Sequence, residues 1–246
     1  MAKLTVMLNE IVTHEPEVMA WTNRAAGPFV MFAQDAFEIF ATAVTESVPD
    51  CLLFRGAYSH ARKMAGLAVL SALRQHKIEN GLNLRQVVEA TSLFGYLAAN
   101  PGLPGSFGKA DQTQAELVAS NERLRKDAFD WSKKTYPGLD NDLQFYKGHI
   151  NRNRSHVTIF ATAAVYDYGA TDGTADERFF DAPDLRETRA MLLSTGNIIN
   201  VANGMLMSVA KDAGTITLRP QMEELVNDTV KRAIALREFT IAQDDG

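Results

Sequence analysis

Two sets of polar residues repeat one helical spacing. Arg85, Glu89, Ser92 and Tyr96 fall at i, i+4, i+7 and i+11, and Phe145, His149, Arg152 and His156 repeat those offsets. Residues three and four apart share a helix face, so each set forms a ridge. The second ridge runs on into Ile159, Phe160 and Ala163, which turns it inward. A buried guanidinium or imidazole needs an acceptor, and Glu89 on the first ridge is placed by spacing to supply one. Such a cluster admits two readings. In a structural network, Arg152 and the imidazoles satisfy carboxylates or helix ends. In a site, arginine binds an anion while histidine moves a proton near neutral pH. The catalytic candidates are then His156, Arg152 and His149, with Arg85, Glu89 and Tyr96 as binding candidates.

Other chemistries are poorly served. Two histidines seven residues apart could join Glu89 around a metal, but no His-x3-His or Glu-x-x-His pair occurs, so neither metal nor cofactor is assigned. Gly108-Lys109 sits in a glycine- and proline-rich loop and invites a phosphate-binding reading. The P-loop pattern needs glycine five residues before that Gly and Ser or Thr after the Lys; Leu103 and Ala110 stand there instead.

The elements that must carry the ridges follow from periodicity. Apolar residues recur at threes and fours from Glu17 to Ser47, with a break or kink at Gly27-Pro28 and an end at Pro49-Asp50. A helix over Cys51–Glu79 stops at Asn80-Gly81. Asn83 and Gln86 form a capping box for the next helix, which runs to Ala99. Helical patterning resumes over 112–134 and again, capped by Asp140 or Asn141, over 143–164. Aromatic pairs on either side of Asp172-Gly173 suggest a small hairpin within 162–182. Asp184 with Glu187 opens a helix that Gly214 closes, and Pro220 opens the last one. The reading is an all-α, multi-helix bundle of seven to eight helices with at most one small β-hairpin. Residues 1–246 form a single domain, with an N-terminal arm over 1–14 and a frayed tail over 244–246.

Composition bounds the function from outside. Hydrophobic residues make up 46% and charged residues 22%, an ordinary globular balance. A net charge of −5 gives no global attraction to nucleic acid or anionic lipid. The single Cys51 leaves no internal disulfide framework. No stretch approaches the roughly 18 apolar residues of a membrane span. Met1 to Val12 lacks the apolar core of a signal peptide. These features fit a cytoplasmic protein with no membrane partner.

Two resemblances add to this. Arg55-Gly-Ala-Tyr-Ser-His60 resembles the Arg-x4-His motif of the HEPN ribonucleases, helical and metal-independent RNA-cleaving proteins, although Gly56 stands where a polar residue is expected. More broadly, Leu84-Arg85, Glu89-Ala90, Leu93, Tyr96-Leu97, Trp131, Tyr146 and Ser155-His156 are similar to a group of bacterial and phage helical proteins catalogued as domain of unknown function 5677. That likeness covers roughly residues 60–165 and departs at Val157-Thr158. It implies an all-α fold, places Arg85, Glu89 and His156 at characteristic polar positions, and adds Tyr146 to the binding candidates. It implies no activity.

The leading expectation is a helical binding or interaction protein, as a homodimer, with the two ridges forming an internal Arg/Glu/His cluster. The ribonuclease is the alternative, with RNA as partner and Arg and His at a dimer groove. It would gather cations such as Arg152, Arg154, Arg62 and Lys63 into a basic cleft. The ridges are further expected to meet, with Glu89 within reach of Arg152, His149 or His156.

Overall fold

The computed structural model describes residues 8–103, 113–153, 166–167, 176–177 and 184–244. Among the described residues eight helices dominate: α1 (Leu8–Ala25), α2 (Gly27–Ala41), α3 (Leu52–Leu73), α4 (Lys77–Ala99), α5 (Gln114–Thr135), α6 (Pro137–Asn153), α7 (Leu185–Ala213) and α8 (Met222–Asp244). The all-α, multi-helix class therefore stands. None of these helices is long and apolar enough to cross a membrane.

Local chemistry explains most boundaries. Pro28 occupies the first turn of α2, where its missing N–H has no intrahelical partner to lose. Thr113 and Glu116 close a reciprocal capping box on α5. The Asp184 carboxylate accepts from the Glu187 N–H at 2.9 Å. Gly214 ends α7 at φ 64°, a left-handed conformation that costs glycine nothing.

The stop between α3 and α4 is six residues earlier than its glycine suggests. Gln75 turns left-handed at φ 60° and is sealed in the core, where its amide donates to Thr22 Oγ1 at 3.1 Å. The chain then passes helically through Asn80-Gly81. Asn80 is buried, and its Nδ2 donates to the Ala68 carbonyl at 2.8 Å and to Thr195 Oγ1 at 3.0 Å. It stitches three helices and caps none. Asn83 likewise reaches Ser71 Oγ at 3.3 Å.

The N-terminal arm is also corrected, since residues 8–14 belong to α1. Glu15 on that helix pairs with Arg74 at the end of α3. At the other end α8 continues through Asp244, shortening the expected tail.

Four short strands accompany the helices among the described residues. β2 (Tyr166–Asp167) pairs antiparallel with β3 (Asp176–Glu177), inside the expected hairpin segment. β1 (Val44–Ser47) pairs antiparallel with β4 (Ile216–Leu218), with a bulge at Thr45. This second ladder overturns the expectation that strand pairing is confined to 162–182. Four residues after Thr42 are too few for a period to show, and their partner lies far along the chain.

The core is organised on α7. Against it pack α2, α3, α4, α6 and α8, while α3 and α4 form a tight antiparallel pair. Gly196 of α7 is a point of close approach: a Cβ there would come within 2.2 Å of the Phe32 ring of α2. Phe40, Phe54, Tyr58 and Phe94 form a ring cluster joining α2, α3 and α4. The low amphipathicity of α4 is explained by its neighbours, for Leu84, Val87, Val88, Phe94, Leu97 and Ala98 are all buried.

Candidate functional site

On α4, the first ridge forms as spacing requires. Arg85 Nε lies 3.2 Å from Glu89 Oε1, and the other carboxylate oxygen takes Arg125 NH2 of α5 at 2.8 Å. Glu89 is only 14% exposed, against 34% and 53% for the two arginines. The ridge continues through Ser92, whose buried hydroxyl has no partner among the described residues. Tyr96 then meets Trp131 edge-on at 5.9 Å, and Trp131 meets Tyr136 at 5.4 Å. Burial, together with the hydrogen bond that Tyr136 donates to Asp212 Oδ2 at 2.7 Å, pushes its phenol well above the usual tyrosine range.

This row clamps α4, α5 and α7 together. Replacing Glu89 by Gln should lower stability by about 0.5–1.5 kcal/mol, since the arginines keep much of their hydration. Denaturation in low and in roughly molar salt tests the cause: the deficit should shrink as ions screen the pairs. A deficit indifferent to salt would point to packing instead.

The second ridge is only partly on view. α4 and α6 pack together as expected, and His149 is half-buried on α6. Arg152 belongs to α6, but its side chain, like Arg154 and His156 altogether, lies outside the described residues. The described partners of Glu89 are Arg85 and Arg125. Arg125 was missed because it lies in another helix, on a charged stretch that reads as a solvated face.

The Arg55 and His60 side chains serve different neighbours. Arg55 donates to Ser47 Oγ at 2.8 Å and to the Ser47 carbonyl at 3.2 Å, bracing β1. His60 Nε2 lies 3.4 Å from Gln86 of α4. Arg62 lies over the Tyr58 ring at 5.5 Å. The concavity above β1 thus gathers Arg55 and Arg62 beside Glu46, with one of the two guanidiniums already committed.

A different cleft collects chemistry without using it. It lies between α6 and α8, is floored by α7 and measures about 380 Å³. Leu139, Val201, Val226, Val230, Ala233 and Ile234 give it apolar walls, while Asp142, Tyr146, Asn197, Asn200 and Arg237 give it polar ones. Comparison with known families, curated proteins and solved structures returns no match.

Tyr146 is the one binding candidate that lines it. Burial raises its phenol above the ordinary value and the Asp142 carboxylate raises it further, while Arg237 and a hydrogen bond with Asn197 oppose them. The hydroxyl is thus a neutral donor at physiological pH. Asn200 is 8% exposed, with its Nδ2 buried and unpartnered. Its Oδ1 lies 3.0 Å from Thr229 Oγ1, which also reaches the Val226 carbonyl at 2.8 Å. One hydroxyl proton serves one acceptor. Turning the amide over would let Nδ2 donate to Thr229 but would leave Oδ1 unmet. In either orientation one polar atom of Asn200 lacks a partner.

The sequence did contain a signal for this cleft. Asn197 and Asn200 stand three apart with Val201 and Gly204 on α7, and Val230, Ile234 and Arg237 follow a four-three spacing on α8. Both are helix faces holding residues that a simple core would replace. Among the described residues no three His, Cys, Asp or Glu side chains converge as metal ligands.

Proposed function

We propose that this chain is a helical binding protein and that the α6–α7–α8 cleft is its ligand seat. The observation that carries this reading is the convergence of apolar walls with a buried amide whose hydrogen bonding is incomplete. An apolar concavity with a few oriented polar groups is the usual form of a small-molecule site. At about 380 Å³ the cleft lies near the lower end of the roughly 300–1,000 Å³ such sites occupy. Exposed apolar surface adds support, since Ile234 is 55% exposed and Val230 is 41% exposed on the rim.

In this reading the Arg85/Glu89/Arg125 node and the aromatic row beside it are structural, holding the helices that frame the cleft. The binding role thus moves from the first ridge to Tyr146 and its neighbours. Among the described residues Arg55 is bonded to Ser47 and His60 meets Gln86, so neither observation favours RNA cleavage.

Methyl NMR with a library of small soluble fragments tests the proposal. Bound fragments should shift the methyl signals of Val201, Val226, Val230 and Ile234 together and saturably. Shifts scattered over the surface, or silence at these four residues, would refute it.

A further inference from the structure

Asp142 and Arg237 stand on opposite walls of the cleft, one on α6 and the other on α8, and both act on the Tyr146 phenol. Neither is in an ion pair among the described residues. Two opposite charges that share an apolar-walled cleft and leave each other unpaired can both be satisfied by one guest. We infer that the ligand is a small zwitterion with an aliphatic or aromatic body, the chemistry of a free hydrophobic amino acid. This rests on the cleft being the ligand seat.

The assignment follows from which group each wall can serve. A guanidinium recognises a carboxylate, with bidentate geometry available to it. Asp142 would receive an ammonium, a donor that Arg237 repels. Tyr146 OH and the Asn197 amide lie between as neutral hydrogen-bonding groups, and Leu139, Val201 and Ile234 take the side chain out of water. Both charged residues are solvent-exposed at the rim, so either contact alone would be worth little. Specificity comes from requiring both on one molecule. A monovalent ligand would leave one wall without a counter-charge, and a neutral one would leave both.

The test compares leucine with leucinamide, 4-methylpentanoate and 3-methylbutanol, titrated into the full chain and followed by the cleft methyl signals. The expected result is that leucine binds at least about threefold more tightly than each of the other three, the scale of one exposed charge contact. Arg237→Gln should reduce that preference over leucinamide, and Asp142→Asn the preference over 4-methylpentanoate. Because both residues are exposed, the variants should keep the wild-type melting temperature.

Equal binding of all four probes in the cleft would overturn the zwitterion and leave the ligand seat standing. No cleft shift with any of them, when other fragments do bind there, would also overturn it. Silence from every fragment would remove both readings. Sedimentation closes the remaining route: a dimer that Ile234→Asp dissociates would put a second copy of the chain on the cleft and refute the small ligand.

Discussion

Asn80→Asp is expected to lower stability at neutral pH by about 3–5 kcal/mol, and by far less in acid. The two side chains are nearly isosteric, so packing is preserved and only the charge is new. In the native chain Asn80 Nδ2 donates to the Ala68 carbonyl and to Thr195 Oγ1, whose own proton is committed to the Met191 carbonyl at 2.8 Å. A carboxylate there would face two acceptor oxygens with no water to relieve it. Its folded pKa must rise above the unfolded value of about 3.9.

The protonated acid can still donate one hydrogen bond, so stability is retained below the unfolded pKa. It is lost as pH rises through the folded pKa, above which the penalty is constant. Asn80→Leu, which removes the hydrogen bonds without adding charge, should cost about 1–3 kcal/mol with little pH dependence. Urea denaturation of the three proteins across the acid range measures this. A pH-independent deficit for Asn80→Asp would show that the site is wetter than its complete burial implies.

Phe94→Ala should cost about as much, about 3–5 kcal/mol, by a different mechanism. Phe94 is fully buried on α4 with ring centroids 6.1 Å from Phe40, 6.4 Å from Phe54 and 6.0 Å from Tyr58. Tyr58 is pinned by its hydroxyl, which donates to the Phe40 carbonyl, and it stacks on Phe54 at 5.6 Å. A neighbour held that firmly cannot swing into the void, so little of the cavity term is recovered. Phe94→Leu, which keeps most of the volume, should cost less than about 1.5 kcal/mol. Equilibrium unfolding with an unchanged denaturant slope is the measurement. A loss below about 2 kcal/mol for the alanine variant would mean that the cluster collapses around the gap.

What the sequence made legible was local chemistry. Pro28, Asp184 with Glu187, and Gly214 mark boundaries because each satisfies or forgoes a backbone hydrogen bond within its own turn. Where a residue serves a distant partner, local reading misplaces it. Asn80 reads as a helix stop because asparagine tolerates the left-handed conformation, yet it is held by Thr195. Gln75, with no such preference, takes that conformation because Thr22 anchors its side chain. The β1–β4 ladder and the Arg125–Glu89 pair were invisible for the same reason.

The candidate site shows the same division. The Arg85–Glu89 pair follows from spacing on one helix, and Tyr146 was named from a resemblance. The cleft residues around Tyr146 come from three helices, and no single segment announces their meeting.

The β1–β4 ladder also bears on the order in which this chain can assemble. α3 and α4 are joined by a turn of three residues, so they can dock with little loop-closure entropy to overcome. β1 must instead wait for a strand about 170 residues downstream, together with the Arg219 N–H that donates to the Ala43 carbonyl at 2.8 Å. Contacts of such separation form slowly and late. The ladder is therefore expected to close together with the docking of α7 on α2, whose Asn203–Ala36 contact spans a comparable length of chain.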